Sequence, residues 1–225
     1  LSHTFWEVKV PFGTKYLDAA LCFPSPVQHV DTAVIVTHGA GGDMNFPQLV
    51  ALAHALASGG FLCLRFTCKG PNLAYRVKAY RAVLLTQYDI LSQSHCDLFA
   101  GRSMGCRAAA ALARQLSDES EEAVQGVICL SFPLHPAGQT HTHRQRSEDL
   151  RALPEHIPVL FVSGTEDNMC DRALLEETVK EMKAGVEVSW LSKGSHGLTV
   201  KGRSEGSVME EVNVEVLTWL SKQGA

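Results

Sequence analysis

With 225 residues, 45% of them hydrophobic and 20% charged, the chain has the length and composition of one ordinary globular domain that buries most of its core. A formal net charge of −4 gives no electrostatic ground for nucleic acid or an acidic membrane as a direct partner. No apolar run approaches the roughly 18 residues needed to cross a bilayer.

Trp6-Glu7-Val8-Lys9-Val10 alternates in polarity and predicts a strand. Pro11-Phe12-Gly13 turns the chain and Tyr16 to Phe23 predicts a second strand, so the two form an antiparallel hairpin at a sheet edge. Pro24 to Asp31 reads as a loop. The β-branched run Thr32 to Thr37 predicts a strand buried on both faces and ends in His38-Gly39-Ala40-Gly41-Gly42. Asn45 as a cap and Pro47 in the first turn then open a helix. Its Leu49, Leu52, Ala53 and Leu56 recur at helical spacing until Ser58-Gly59-Gly60 stops it. Phe61 to Phe66 is the next buried strand, and Thr67 to Asn72 the loop after it. An amphipathic helix from Tyr75 to Ser92 leads to an apolar strand ending at Gly101, and a further helix runs to Leu116.

Beyond an acidic link at Asp118 to Glu122, Gly126 to Leu130 predicts a buried strand. Pro133 to Arg151 reads as irregular, polar and rich in His and Arg, too short for a lid domain. Pro158 to Val162 is a strand, Asp171 to Met182 a helix, Val186 to Leu191 the last strand and Ser207 to Lys222 the closing helix. Eight strands alternating with helices in this way predict a mainly parallel sheet with helices on both faces. In such sheets ligands bind beyond the carboxyl ends of the strands. The loops carrying Gly41, Ser103, Asp167 and His196 all leave that edge.

Gly101-Arg102-Ser103-Met104-Gly105 is G-x-S-x-G at a strand–turn–helix junction, the setting in which the motif has a physical meaning. Glycines two residues either side of Ser103 remove the Cβ atoms that would collide as strand and helix close together. The helix opens beneath Ser103, so its first amides face any oxyanion formed there. Attack by serine on an acyl carbon also needs a base and an acid to orient that base. His196, on the loop after the last strand, is the candidate base. Asp167, on the loop after the preceding strand, is the candidate orienting acid, with Glu166 and Asp171 as the alternatives. The order Ser…Asp…His fits this architecture and differs from that of chymotrypsin or subtilisin.

Together these features resemble the α/β-hydrolases, dienelactone hydrolase above all, over essentially the whole chain. Thr37 to Asn45, Leu64 to Gly70, Gly101 to Gly105, Val162 to Gly164 and Val200 to Ser204 more closely resemble a vertebrate family of testis-expressed α/β-hydrolase-like proteins. That family is related to a scaffold subunit of the NSL histone-acetyltransferase complex. The resemblance implies the α/β-hydrolase fold and a Ser103–His196–Asp167 triad. By similarity it also implies an oxyanion hole from the Met104 N–H and the Ala40 N–H, with Gly41 as the alternative to Ala40. The implied activity is hydrolysis of a small ester, thioester or similar acyl bond, with no metal and no organic cofactor. The rival implication is a hydrolase fold retained as a binding or scaffold module with a protein partner. Serine at the elbow sets the chain apart from dienelactone-type cysteine chemistry.

Gly41, Lys69 and Arg102 are candidate pocket-lining residues. Arg65 is also near this edge, and the three cations could meet an anionic acyl group or pair with the protein's own carboxylates. His38 is expected to brace its loop. His135, His141 and His143 have no carboxylate or cysteine completing a metal-ligand spacing, so their segment is expected to be a mobile loop at the site's border. Seven irregularly spaced cysteines without a C-x-x-C, and an N-terminus without signal-peptide regions, imply reduced thiols in a cytoplasmic or nuclear protein.

Overall fold

A computed structural model describes residues 4–25, 30, 32–70, 72–91 and 96–224. The eight strands are β1 (Thr4–Phe12), β2 (Lys15–Phe23), β3 (Thr32–Thr37), β4 (Leu62–Phe66), β5 (Cys96–Arg102), β6 (Gly126–Leu130), β7 (Val159–Gly164) and β8 (Val186–Leu191). The helices are α1 (Pro47–Ser58), α2 (Leu73–Leu91), α3 (Met104–Ser117), α4 (His143–Arg146), α5 (Glu148–Ala152), α6 (Arg172–Glu181) and α7 (Glu205–Gln223). The strands form one sheet in the order β1-β2-β4-β3-β5-β6-β7-β8. β1 pairs antiparallel with β2, and β2 antiparallel with β4. From β4 to β8 every pairing is parallel. The sheet is therefore mainly parallel with the expected antiparallel hairpin at one edge.

Alternate side chains along each central strand serve opposite faces, which is why these strands read as unbroken apolar runs. Ala33 and Ile35 of β3 and Phe99 of β5 enter the core under α2 and α3. Val34, Val36, Leu98 and Ala100 enter the second core, under α1 and α7. Fully burying one such Val, Ile or Phe stabilises the fold by roughly 1.5–3 kcal/mol. Ala108 to Ala113 of α3 are all buried, and the alanines among them let that helix lie close against both the sheet and α2. Among the described residues, no helix is long and apolar enough to cross a membrane.

Three local expectations are corrected. Asn45 does not cap α1: the residue before the helix is Phe46, with no side-chain cap bond, and the Asn45 N–H donates to Asp43 Oδ1 at 2.8 Å. The turn is closed by Asp43, and the cap signal lies one residue before the true N-cap position. The segment 133–151 is not irregular throughout but holds a 3-10 turn at Thr140–Thr142, then α4 and α5. Leu134 and Leu150 anchor it in the core with α3, two apolar contacts too far apart in sequence to show as periodicity. Helices α2 and α7 each begin two residues earlier than expected. The proposed end of α2 at Ser92 lies outside the described residues, as do most of the expected loop before β3 and Pro71 of the loop after β4.

Candidate active site

Because the central strands run parallel, their carboxyl ends coincide. Thr37 of β3 lies beside Gly101 of β5, and Arg102 beside Leu130 of β6. Ser103 stands on the turn between β5 and α3 with φ 51° and ψ −117°, a strained conformation for a residue with a Cβ. Its N–H donates to Leu130 O at 2.9 Å, which ties the turn to the next strand. The flanking glycines are required by space. A Cβ on Gly101 would lie 2.1 Å from the Gly105 carbonyl carbon, and one on Gly105 would lie 2.5 Å from Thr37 O. Any side chain at either place would push strand and helix apart.

The three loops meet. Ser103 Oγ is 2.8 Å from His196 Nε2. His196 Nδ1 is 2.9 Å from Asp167 Oδ2 and 3.0 Å from Oδ1, while the Met169 N–H donates to Oδ1 at 2.8 Å. The Asp167 side chain is 0% exposed. A buried, ionised carboxylate facing Nδ1 favours the tautomer with its proton there, leaving Nε2 free to accept the serine proton. Of the alternatives, Asp171 caps α6, its Oδ1 accepting from the Leu174 N–H at 3.0 Å. Glu166 lies on the rim of a separate cavity with Lys193 and Ser195. The loops of Asp167 and His196 are stitched together, the Glu166 N–H donating to Gly194 O at 2.9 Å and the Lys193 N–H to Thr165 Oγ1 at 2.7 Å.

On the other side of Ser103, a cavity of about 480 Å³ is lined by Ala40, Gly41, Asp43, Lys69, Arg76 and Met104, among others. Ala40 and Met104 thus border one space beside the serine. His38 is buried and braces the loop: the Cys68 N–H donates to its Nε2 at 2.9 Å, so Nδ1 carries the proton donated to Gly39 O at 2.6 Å. Burial, with the Arg76 charge nearby, holds the imidazole below its usual basicity. Lys69 is exposed at the cavity. Arg102 turns away from this lining, with Nε donating to Gln48 Oε1 at 3.0 Å and its guanidinium 4.8 Å from the Phe46 ring centre. Arg65 is buried and donates to Met44 O at 2.7 Å, which makes it a support and not a cavity cation. His135 is also a support, Nδ1 bonding Pro136 O and Nε2 accepting from the Asp171 N–H at 3.0 Å.

Two buried polar residues here have no place in the sequence reading. Arg76 of α2 donates to Gly70 O at 3.1 Å, His38 O at 3.0 Å and Gly39 O at 3.4 Å. Gln48 of α1 reaches both Arg102 and Gly197 O. Gln48 precedes Leu49, Leu52 and Leu56 on the buried stripe, and a polar residue on such a stripe is the signal that could have marked it.

Residues 30–221 match the family model described as an alpha/beta hydrolase domain. Among solved structures, a dienelactone hydrolase from Anabaena variabilis is 16% identical, with TM-score 0.76 over 98% of both chains. Est1E from Butyrivibrio proteoclasticus is 17% identical, with TM-score 0.77 over 96% of this chain and 98% of its own. A serine hydrolase without lid from Xanthomonas campestris is 17% identical, with TM-score 0.69 over 97% of this chain and 93% of its own. At these identities the likeness is one of fold.

Proposed function

The chain belongs to the alpha/beta hydrolase domain family, and from that premise we propose that it is a serine hydrolase acting on a small ester, thioester or related acyl bond. The observation that carries this reading is the continuous path from Ser103 Oγ through His196 to the buried Asp167 carboxylate. Ser103 Oγ attacks the acyl carbon as its proton passes to His196 Nε2, and Asp167 stabilises the imidazolium so formed. The N–H groups of Ala40 and Met104 hold the oxyanion, a contribution that reaches about 100- to 1000-fold in rate per donor elsewhere. His196 then gives its proton to the leaving group and the acyl–serine bond remains; water next attacks the acyl carbon as His196 takes its proton, and His196 returns that proton to Ser103 Oγ as the acid leaves. None of these steps calls on a metal or an organic cofactor.

A cavity of about 480 Å³ suits a small acyl group, and the exposed Lys69 ammonium on its lining would meet an anionic substituent. A solved structure of Est1E holds ferulic acid, so feruloyl and short-chain acyl esters are the first substrates to assay. The decisive experiment is labelling with a fluorophosphonate probe. Wild type takes one label and Ser103→Ala none; an unlabelled wild type overturns the reading.

The second reading is a hydrolase fold retained as a binding or scaffold module, since fold does not fix function. It is favoured by the motif likeness to testis-expressed hydrolase-like proteins. The exposed rings of Trp6 and Tyr16, 54% and 67% accessible on the outer hairpin, also favour it. A stoichiometric protein partner held equally by wild type and Ser103→Ala, with no labelling of wild type, is its signature. A cytosolic or nuclear location is proposed with either reading, in keeping with six buried free thiols among the described residues.

A further inference from the structure

We infer that Gln48 is a positioning residue that fixes the distance between the nucleophile and the base, an inference that rests on the serine-hydrolase reading. Gln48 sits in the first turn of α1, outside both loops that carry the chemistry, and is 5% exposed. Its Nε2 donates to Gly197 O at 2.7 Å, and its Oε1 accepts from Arg102 Nε at 3.0 Å. Arg102 immediately precedes Ser103, and Gly197 immediately follows His196. One amide therefore spans the gap between the two loops one residue away from each reacting side chain.

Chemistry fixes the amide's orientation. A guanidinium Nε only donates and a peptide carbonyl only accepts, so the oxygen must face Arg102 and the nitrogen Gly197. The Arg102 arm is itself set: its guanidinium stacks over Phe46, and Nη1 lies 3.3 Å from where a Gly39 Cβ would be. Gly39 packs against Ser103 in turn, its virtual Cβ 3.1 Å from the Ser103 Cβ. The Gly197 arm is the softer one. The loop 194–199 is otherwise held by Ser195 N–H to Thr199 O and Leu198 N–H to Ser195 O, each 3.0 Å, by the Glu166 N–H on Gly194 O and by Leu198 in the second core.

Two near-isosteric variants separate positioning from packing. Gln48→Glu keeps the Arg102 arm but sets a carboxylate oxygen against the Gly197 carbonyl. Gln48→Met keeps the volume and removes both arms. Hydrogen exchange across 194–199 and the rate of fluorophosphonate labelling at Ser103 are measured on each, together with kcat and KM on an ester that wild type turns over. Exchange rises about tenfold, the loss of one buried hydrogen bond. Labelling and kcat fall about 10- to 100-fold, the cost of a misplaced base, with KM unchanged. Wild-type labelling in Gln48→Glu overturns the inference, whatever its exchange does, and so does wild-type exchange. If wild type takes no label yet exchange quickens in both variants, the tie between the loops stands while the hydrolase reading falls.

Discussion

Residues 38 and 39, on one side of Ser103, are held by buried groups from two other elements: the Arg76 guanidinium on their carbonyls and the Cys68 amide on the His38 ring. Residues 194–199, on the other side, range from the buried Gly194 and Leu198 to the exposed Thr199 and bond mostly to one another and to the Asp167 loop. Their tie toward the nucleophile is the Gln48 amide. Residues 38 and 39, on the proposed oxyanion side, are therefore fixed by buried bonds, whereas the base loop is held by the Gln48 amide, by the Asp167 loop and by Leu198 in the second core. That division suits the chemistry proposed. Oxyanion donors work best when fixed beforehand, whereas the imidazole must serve the serine, the leaving group and water in turn.

Removing Arg76 should break the comparison most severely. Arg76→Met keeps an unbranched apolar side chain of similar length but strips the charge-assisted bonds from three buried carbonyls. Bonds to charged donors contribute about 1.5–3 kcal/mol each, while burial already holds the guanidinium below its usual basicity and offsets part of that gain. A net loss of about 2–4 kcal/mol is expected in urea unfolding. Labelling of Ser103 should fall with it even where the protein remains folded. A variant as stable as wild type would mean that the 38–40 loop is held by something other than its buried bonds.

The His38 ring gives the same loop a pH dependence. Its Nε2 accepts from Cys68 and cannot be protonated without losing that bond, and burial depresses its basicity. The unfolded chain binds a proton near pH 6.5, where the folded chain does not. Stability from this group is therefore fully present above about pH 6.5. It is lost as pH falls below that value, until the folded imidazole also titrates. Urea midpoints at pH 7.5 and 5.0 should differ more in wild type than in His38→Asn, where the contribution is absent at both. Equal differences would place the ring outside the loop's support.

The fold was legible because strand polarity and helix spacing are local signals, as in Thr32 to Thr37 and the Leu49, Leu52, Leu56 stripe. The residues of the Ser103–His196–Asp167 path were legible for another reason: each lies just beyond a recognisable strand, and parallel strands bring those ends together. Arg76 and Gln48 escaped because the site groups they hold lie 37, 38, 54 and 149 residues away in sequence. Nothing local marks a side chain that serves a distant backbone. Asn45 misled because a good cap residue two places before Pro47 is indistinguishable, in sequence, from one that merely follows an Asp turn.

The smallest effect is expected inside the His196 loop itself. Ser195 Oγ and Thr199 Oγ1 are 2.7 Å apart, the shortest of the bonds by which the loop closes on itself. Thr199 is exposed, so water replaces the partner that Thr199→Val removes, and the β-branched shape keeps the backbone preference. Stability should change by no more than about 0.5 kcal/mol, and labelling of Ser103 by less than about twofold. The contrast with Arg76→Met separates a bond between exposed hydroxyls from bonds sealed in the core. Should Thr199→Val instead slow labelling as much as the Gln48 variants, the loop's own closure would be what positions His196. The base loop would then be held by its own bonds, where residues 38 and 39 are held by Arg76 and Cys68.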